Sequence, residues 1–291
     1  MNYAFLENQS LKFYNTLRIE AKAKYIVFPF NTEGLIEIFN RYRNKEIIII
    51  GKGSNLLFSK EYYDENYVFL NLKFFDKIFI KNKSVFAEAG VTLSNLAWYT
   101  VENNLRGFEF LEDIPGTIGG AVVMNSGTYD DNISQLINRI TYYDIDNNMI
   151  REENVLRENF GTRKSKWSGG NYVILSCEFK FEEGDYLESL DKLLEVKKQR
   201  YLKQPRNFPN AGSVFKRPIV NGQELQVWKL INDIGLRGMK KNDAMISEKH
   251  TGFIINTGNA TYQDLKYLID LIQLNIKEKL DISLELEWKI I

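Results

Sequence analysis

Two glycine-rich segments present backbone amides where an anion could bind. The first, GKGSN, runs from Gly51 to Asn55 after four consecutive isoleucines, and the second, IPGTIGGA, runs from Ile114 to Ala121. Glycine lets a backbone approach a ligand closely, and successive N–H groups in such turns form a concavity suited to phosphate. A lone Gly-Gly pair is more often a packing feature. The presence of two such segments predicts one pyrophosphate cradle built from both.

Neither segment matches a standard nucleotide-binding motif. The third glycine of the dinucleotide fingerprint would fall at Leu56, and no Gly-Lys-Ser/Thr completes a P-loop. The sequence therefore argues against Rossmann and P-loop cradles and leaves the two-segment arrangement.

Three other segments carry side chains that could act on a substrate. Arg163 lies in a basic loop, Ser213 follows Ala-Gly, and the alternation from Ile282 to Ile290 predicts a final strand with Glu285 and Glu287 on one face. Each also has a plainer interpretation, because alternating strands usually have a solvated face and no GxSxG elbow surrounds Ser213. A hydroxyl can protonate carbon only in a strongly basic intermediate, which limits the chemistry open to Ser213.

Composition excludes several classes of protein. Lysine plus arginine equal aspartate plus glutamate at 38 each, so no overall field favours nucleic acid or a membrane surface. The single cysteine, Cys177, lies in an apolar run and is expected to be a buried, inert thiol. With His250 as the one histidine, we expect no metal site. No signal peptide or membrane-length apolar run is apparent, which predicts a cytoplasmic protein.

Periodicity predicts an α+β protein of two domains. A strand at 24–28, a helix at 32–42 and a buried strand at 47–50 form a β-α-β unit, which suggests a parallel pair. We place a domain boundary near residue 185, so that the domains are 1–185 and 186–291, with a connector helix at about 186–202. Further predicted elements are helices at 92–103, 224–234 and 262–279, a hairpin with arms 139–144 and 149–153, and strands at 172–181 and 252–256.

Five motifs together carry a family resemblance. They are GKGSNLL, GFEFLEDIPGTIGGAVVMNSGTY, AGSVFKRP, KHTGFIIN and LELEWKII, and they occur in one order from about Leu11 to the end of the chain. In these motifs the chain resembles the UDP-N-acetylenolpyruvoylglucosamine reductase family. The resemblance implies an N-terminal FAD-binding domain of the p-cresol methylhydroxylase (PCMH) type and a smaller α+β C-terminal substrate domain. It also implies reduction of UDP-N-acetylglucosamine enolpyruvate by NADPH through FAD, by a monomer that binds neither nucleic acid nor membrane.

The resemblance also assigns residues. It makes Ser213 the proton donor to the substrate carbon, Arg163 the partner of the substrate carboxylate and Glu287 the catalytic glutamate, with Glu285 as the nearby alternative. Lys203, Arg217 and His250 would contact the substrate. The implied FAD contacts are Gly51, Lys52, Gly53, Ser54, Asn55, Leu56, Ile114, Pro115, Gly116, Thr117, Gly119, Gly120, Ala121, Asn125 and Gly127.

Two departures from the family pattern keep other functions open. Thr162 stands where the family has a tyrosine that contacts substrate, and Glu20-Ala21 replaces Gly-Gly near the start. One alternative is an FAD-binding paralogue that acts on a different substrate. The other is a non-catalytic protein that binds flavin or a UDP-sugar.

Overall fold

Six α-helices, five short 3-10 helices and twenty strands make up the regular structure of residues 2–128 and 131–291, the part of the chain that the computed structural model describes. Tyr129, which closes the longest motif quoted above, lies outside it. The helices are α1 (Thr32–Arg41), α2 (Leu93–Glu102), α3 (Ile118–Met124), α4 (Tyr186–Lys203), α5 (Val227–Asp233) and α6 (Tyr262–Leu280). The strands are β1 (Tyr3–Ser10), β2 (Lys22–Pro29), β3 (Glu46–Ile50), β4 (Leu56–Leu57), β5 (Tyr62–Asn71), β6 (Ile78–Lys81), β7 (Ser84–Glu88), β8 (Leu105–Arg106), β9 (Ile137–Asp144), β10 (Met149–Asn154), β11 (Phe160–Gly161), β12 (Lys164–Ser165), β13 (Tyr172–Phe179), β14 (Glu182–Glu183), β15 (Ile219–Val220), β16 (Gln223–Glu224), β17 (Lys240–Lys241), β18 (Ala244–Ile246), β19 (Ile254–Asn256) and β20 (Lys289–Ile290).

The chain forms two compact units, each built from several stretches of sequence. The first unit contains the described residues of 2–7, 24–52 and 64–199, and the second contains 8–23, 53–63 and 200–291. The first glycine turn is divided between them, since Lys52 belongs to the first unit and Gly53 to the second. The sequence predicted a single boundary near residue 185, and that boundary stays a prediction.

The predicted β-α-β unit exists, but its strands do not pair as expected. Helix α1 begins where the Asn31 side chain accepts from the Gly34 N–H, and it buries Leu35 and Ile38. In the sheet ordered β1-β2-β5-β3, strand β3 pairs in parallel with β5 rather than with β2. The predicted parallel pair of these two strands is therefore wrong, since the parallel partner of β3 is β5, a later strand of the chain.

A second sheet, ordered β10-β9-β13-β7-β6, contains the predicted hairpin. Strands β9 and β10 pair antiparallel from Asp144–Met149 outward, so the hairpin is confirmed. Cys177 lies on β13 and is buried and free, as expected. Burial raises the pKa of its thiol far above the usual range, so the thiol stays protonated and unreactive.

The second unit packs the short sheet β17-β18-β19 against α5 and α6. Helix α6 begins with a capping box, in which the Thr261 hydroxyl accepts from the Asp264 N–H and the Asp264 carboxylate accepts from the Thr261 N–H. Its apolar face, which includes Leu265, Ile269 and Ile272, is fully buried. This core includes Val214 and Trp288, the chain neighbours of the predicted catalytic residues Ser213 and Glu287.

The predicted final strand from residue 282 to 290 is wrong over most of its length. Only Lys289–Ile290 forms a strand, paired in parallel with β4, and Leu286 makes a single bridge to Phe215. Leu284 and Trp288 are both buried, as the alternation of apolar residues predicts, yet the backbone between them is irregular. Burial periodicity reports which side chains face the core and does not require a continuous ladder.

Within the described residues, no helix has both the length and the apolar composition needed to cross a bilayer. The same residues contain no grouping of three or more His, Cys, Asp or Glu side chains that could hold a metal ion.

Candidate functional site

Gly51 and Thr117 bring the two glycine-rich segments together inside the first unit. A Cβ atom placed on Gly51 would lie 2.6 Å from the Thr117 hydroxyl oxygen, and one placed on Gly120 would have that same oxygen as its nearest neighbour at 3.8 Å. Gly51 and Gly120 are exposed, whereas Thr117 is buried. The Asn71 side chain donates to the Gly51 carbonyl at 3.2 Å and fixes this corner. The result is a surface of bare backbone around one hydroxyl, the kind of surface a phosphate can approach.

The second segment is a loop followed by a short helix. Gly119 and Gly120 lie in the first turn of α3, and the residues with positive φ that flank the segment are Asp113 and Asn125. The N–H of Gly119 donates to the Ala89 carbonyl at 2.9 Å, and a Cβ on Gly119 would lie 3.2 Å from the Ala89 Cβ. Close packing against Ala89, which follows β7, therefore explains Gly119 in this structure, and its contact with a cofactor stays a prediction.

In the second unit, the remainder of the GKGSN turn is tied to the C-terminal segment. Gly53 has φ +64°, and an added Cβ would lie 2.1 Å from the Tyr14 carbonyl oxygen, so only glycine fits there. The Asn55 side chain donates to the Glu287 carbonyl at 2.9 Å, and the Lys289 N–H donates to the Asn55 carbonyl at 2.9 Å. Asn55 thus holds the backbone of the predicted catalytic glutamate.

Ser213 and Glu287 are joined through the backbone of one residue. The Val214 N–H donates to the Gly252 carbonyl at 3.0 Å, and the Val214 carbonyl accepts from the Glu287 N–H at 2.9 Å. Val214 is fully buried while Ser213 is exposed, so the chain is anchored immediately beside the hydroxyl. Gly212, at φ +76°, makes the turn that precedes it.

The two carboxylates that the sequence could not separate have different surroundings. The side chain of Glu285 is 75% exposed and pairs with Lys216. Glu287 is half-buried and lies between Leu286 and the buried Trp288. A half-buried carboxyl group suits a catalytic role better than an exposed one, so burial favours Glu287 over Glu285 as the predicted catalytic glutamate.

His250 lies next to this backbone network and is held neutral. Its Nδ1 accepts from the Gly252 N–H at 3.2 Å, which leaves the proton on Nε2. Its ring packs edge-on against Phe253, with centroids 4.8 Å apart. Burial lowers the pKa of His250, and the nearby Arg237 lowers it further. The imidazole is therefore a neutral donor through Nε2.

Arg163 belongs to the first unit and lies at the tip of the β11–β12 hairpin. It is half-buried and has φ +54°, the left-handed region that residues other than glycine seldom adopt. The adjacent Thr162, where the family has tyrosine, is exposed. The expected meeting of Arg163 with Ser213 and Glu287 stays a prediction.

The other expected substrate contacts lie in the second unit. Lys203 is exposed at the last position of α4, and Arg217 pairs with Glu224. Their contacts with substrate, like the FAD contacts of Lys52, Ser54 and Leu56, stay predictions.

Comparison with known proteins gives two family matches. Residues 204–291 match the model described as UDP-N-acetylenolpyruvoylglucosamine reductase, C-terminal domain, and residues 23–146 match an FAD binding domain. A UDP-N-acetylenolpyruvoylglucosamine reductase from Francisella tularensis is 38% identical over 283 residues, which are 97% of this chain and 98% of that protein. The chain belongs to the UDP-N-acetylenolpyruvoylglucosamine reductase family.

Further relatives extend the likeness to the whole fold. The reductase from Caldicellulosiruptor bescii is 40% identical over 291 residues, covering 99% of this chain and 90% of the relative. The crystal structure of the reductase from Thermus caldophilus superposes with a TM-score of 0.80 at 29% identity, covering 100% of this chain and 99% of that one. The expected family and α+β fold are confirmed.

The residues of this family member fit FAD, the cofactor that its N-terminal domain model names. Bare backbone at Gly51 and Gly120 surrounds the Thr117 hydroxyl, so no side chain blocks a phosphate there. Sequence reasoning identified these glycines but missed the contact with the Thr117 hydroxyl, and it missed the bond from Asn55 to Glu287. No local pattern signals either, because their partners lie far away in the chain.

Proposed function

We propose that the chain reduces UDP-N-acetyl-3-O-(1-carboxyvinyl)-glucosamine to UDP-N-acetylmuramate with NADPH, a step of peptidoglycan precursor synthesis. The backbone bond between Val214 and Glu287 supports the proposal, because it joins the segment that carries the exposed Ser213 to the segment that carries the half-buried Glu287. Family membership along nearly the whole chain supports the choice of substrate and of both nucleotides.

The residues divide the chemistry among them. FAD bound at the glycine-rich segments would supply the transfer of a hydride from NADPH to the terminal vinyl carbon of the substrate. The Arg163 guanidinium binds the substrate carboxylate through paired hydrogen bonds and, with a protonated Glu287, stabilises the enolate-like charge that develops there. The Ser213 hydroxyl donates its proton to the adjacent carbon, which is basic enough only at that stage. One well-placed donor of this kind contributes about 3–4 kcal/mol, or roughly 10²–10³ in rate.

The remaining substrate contacts are assigned by charge and protonation. Lys203 and Arg217 are cationic and would bind the diphosphate, for which Arg217 exchanges its pairing with Glu224. His250 stays neutral and donates from Nε2. The glycine-rich segments at 51–56 and 114–127 would bind FAD.

Anaerobic stopped-flow kinetics test the proposal. The purified protein should absorb at about 450 nm, as oxidised flavoproteins do, and NADPH should bleach that band. Mixing the reduced protein with the enolpyruvyl sugar nucleotide should restore the band in a single turnover. UDP-N-acetylglucosamine, which lacks the vinyl group, is the matched control and should leave the protein reduced.

The outcomes separate the alternatives. Bleaching by NADPH without reoxidation by the enolpyruvyl sugar would assign the protein to a paralogue with another substrate, a possibility that the exposed Thr162 keeps open. If the protein binds no flavin after reconstitution with FAD, every proposed function that requires FAD is contradicted.

We further propose that the protein acts as a monomer in the cytoplasm, where NADPH and sugar nucleotides are available. The substrate-binding domain would begin with α4 near residue 186, shortly before the C-terminal family match starts at residue 204. Gel filtration with light scattering would reveal a dimer if one forms.

A further inference from the structure

The Arg163 turn has a backbone that needs support. Strands β11 and β12 are two residues each and pair only through Phe160–Ser165 and Gly161–Lys164. Arg163 at the tip holds a left-handed conformation, which is unfavourable for a residue with a side chain. A hairpin this short cannot fix that conformation by its own pairing.

The support comes from the C-terminal end of α3. The Asn125 side chain donates through Nδ2 to the Gly161 carbonyl at 3.1 Å, on the strand that leads into the turn. On the strand that leaves it, the Ser165 hydroxyl donates to the Val123 carbonyl at 3.2 Å, and just beyond that strand the Ser168 hydroxyl donates to the same oxygen at 2.7 Å. Both arms of the hairpin are therefore bonded to the last residues of one helix.

The other end of α3 is fixed at the glycine surface, which Gly51, Thr117 and Gly120 form. Thr117 immediately precedes the helix and lies against Gly51, and the Ile118 N–H donates to the Val91 carbonyl at 2.9 Å. Seven helical residues rise about 10 Å, so α3 is a short rigid connection between the glycine surface and the Arg163 turn.

We propose that Asn125 is a positioning residue for Arg163 in the reaction proposed above, on which this inference rests. Asn125 has two features that suit the task. At φ +44° it ends α3 in the left-handed conformation that asparagine tolerates, and its side chain reaches across to the Gly161 carbonyl. It acts through the hairpin and sets where the guanidinium meets the substrate carboxylate.

The test uses Asn125→Gly, which keeps the left-handed backbone and removes only the side-chain amide. Since the family resemblance also makes Asn125 an FAD contact, both half-reactions are measured with FAD saturating, and reoxidation by the enolpyruvyl sugar should slow at least about tenfold more than reduction by NADPH does. Reoxidation by the enolpyruvyl sugar should slow by about 10–100-fold, since small misplacements of a binding group are costly. Asn82→Gly, the same change at φ +51° in the exposed β6–β7 turn, is the matched control and should leave both steps unchanged.

A double-mutant cycle separates positioning from general damage. In an Arg163→Ala background, Asn125→Gly should change the reoxidation rate by less than about twofold, because the residue it positions is gone. Effects that simply multiply would overturn the proposal.

Amide hydrogen exchange gives a readout that does not depend on turnover. Protection of residues 160–165 should fall in Asn125→Gly and stay at the wild-type level in Asn82→Gly; unchanged protection in both would overturn the proposal. If wild type fails to reoxidise with the enolpyruvyl sugar, the proposed function is wrong, and the exchange result still decides whether Asn125 holds the hairpin.

Discussion

The hydroxyl of Thr117 occupies the space that a side chain on residue 51 would need. The two residues are far apart in the chain, yet a Cβ on Gly51 would lie 2.6 Å from the Thr117 Oγ1. Since real Cβ contacts do not come that close, any other residue at position 51 must displace the Thr117 side chain or one of the two glycine-rich segments.

Gly51→Ala should therefore weaken flavin binding. We expect the dissociation constant for FAD to rise at least about tenfold and the free energy of unfolding of the flavin-free protein to fall by about 1–3 kcal/mol, the usual range for overpacking. Flavin titration and urea unfolding measure the two effects. Adding Thr117→Ala removes the clashing oxygen and should recover the stability; equal instability of both variants would contradict this account.

Ser213→Ala should slow only the second of the two half-reactions. Flavin reduction by NADPH should stay unchanged, whereas reoxidation by the enolpyruvyl sugar should slow by about 10²-fold or more, because the proton donor is lost only in the second half. Stopped-flow absorbance follows both halves in the same sample. Ser54→Ala is a useful comparison, since a cofactor contact should alter FAD affinity instead. Equal loss in both halves would remove Ser213 from the role of proton donor.

His250 should make stability depend on pH in a defined window. Burial lowers its folded pKa below 6.5, so between that lower value and 6.5 the unfolded chain binds more protons. The stabilising contribution is complete above about pH 6.5 and is lost as the pH falls toward the folded pKa. His250→Gln should reduce the loss in unfolding free energy between about pH 7.5 and 5, measured by urea denaturation.

Asp144 and Asp264, whose pKa values are lowered, do not contribute to the pH dependence of unfolding between about pH 5 and 7.5. Hydrogen bonds from Asn147 lower the pKa of Asp144, and those from Thr261 lower the pKa of Asp264 against the opposing effect of burial. Both titrate below their ordinary value of 3.8, outside the histidine window. An identical pH dependence in wild type and His250→Gln would show that the imidazole does not titrate as described.

Lys197→Met should be more damaging than its exposure suggests. Lys197 pairs at 2.9 Å with Glu112, whose side chain is only 2% exposed, in the loop before the second glycine segment. Removing the lysine leaves a buried carboxylate without its partner, and we expect a loss of about 1–3 kcal/mol in unfolding free energy. Glu112→Gln in the same background should restore most of it.

Lys198→Met is the matched control for that pair. Its partner Glu195 is 55% exposed, and surface pairs contribute about 0–1 kcal/mol, so this change should be nearly neutral in urea unfolding. Similar losses at positions 197 and 198 would mean that Glu112 gains little from Lys197.

The sequence by itself determined the features that depend only on residues close together in the chain. Helical spacing located α1 and α6, and alternation with a turn located the β9–β10 hairpin. The apolar run around Cys177 was enough to predict its burial, and the order of five motifs was enough to identify the family. These features are encoded locally because side-chain period and turn residues fix them within a few positions.

Only the tertiary structure decided which distant backbones meet. Strand β3 could have paired in parallel with β2 or β5, since four isoleucines suit either neighbour. The link from Asn55 to Glu287 spans 232 positions, and the bond from Asn125 to Gly161 spans 36. Backbone carbonyls are the same in every residue, so no sequence pattern names the one that a side chain will bind. Packing of each core makes that choice, and with it the place of each candidate catalytic group.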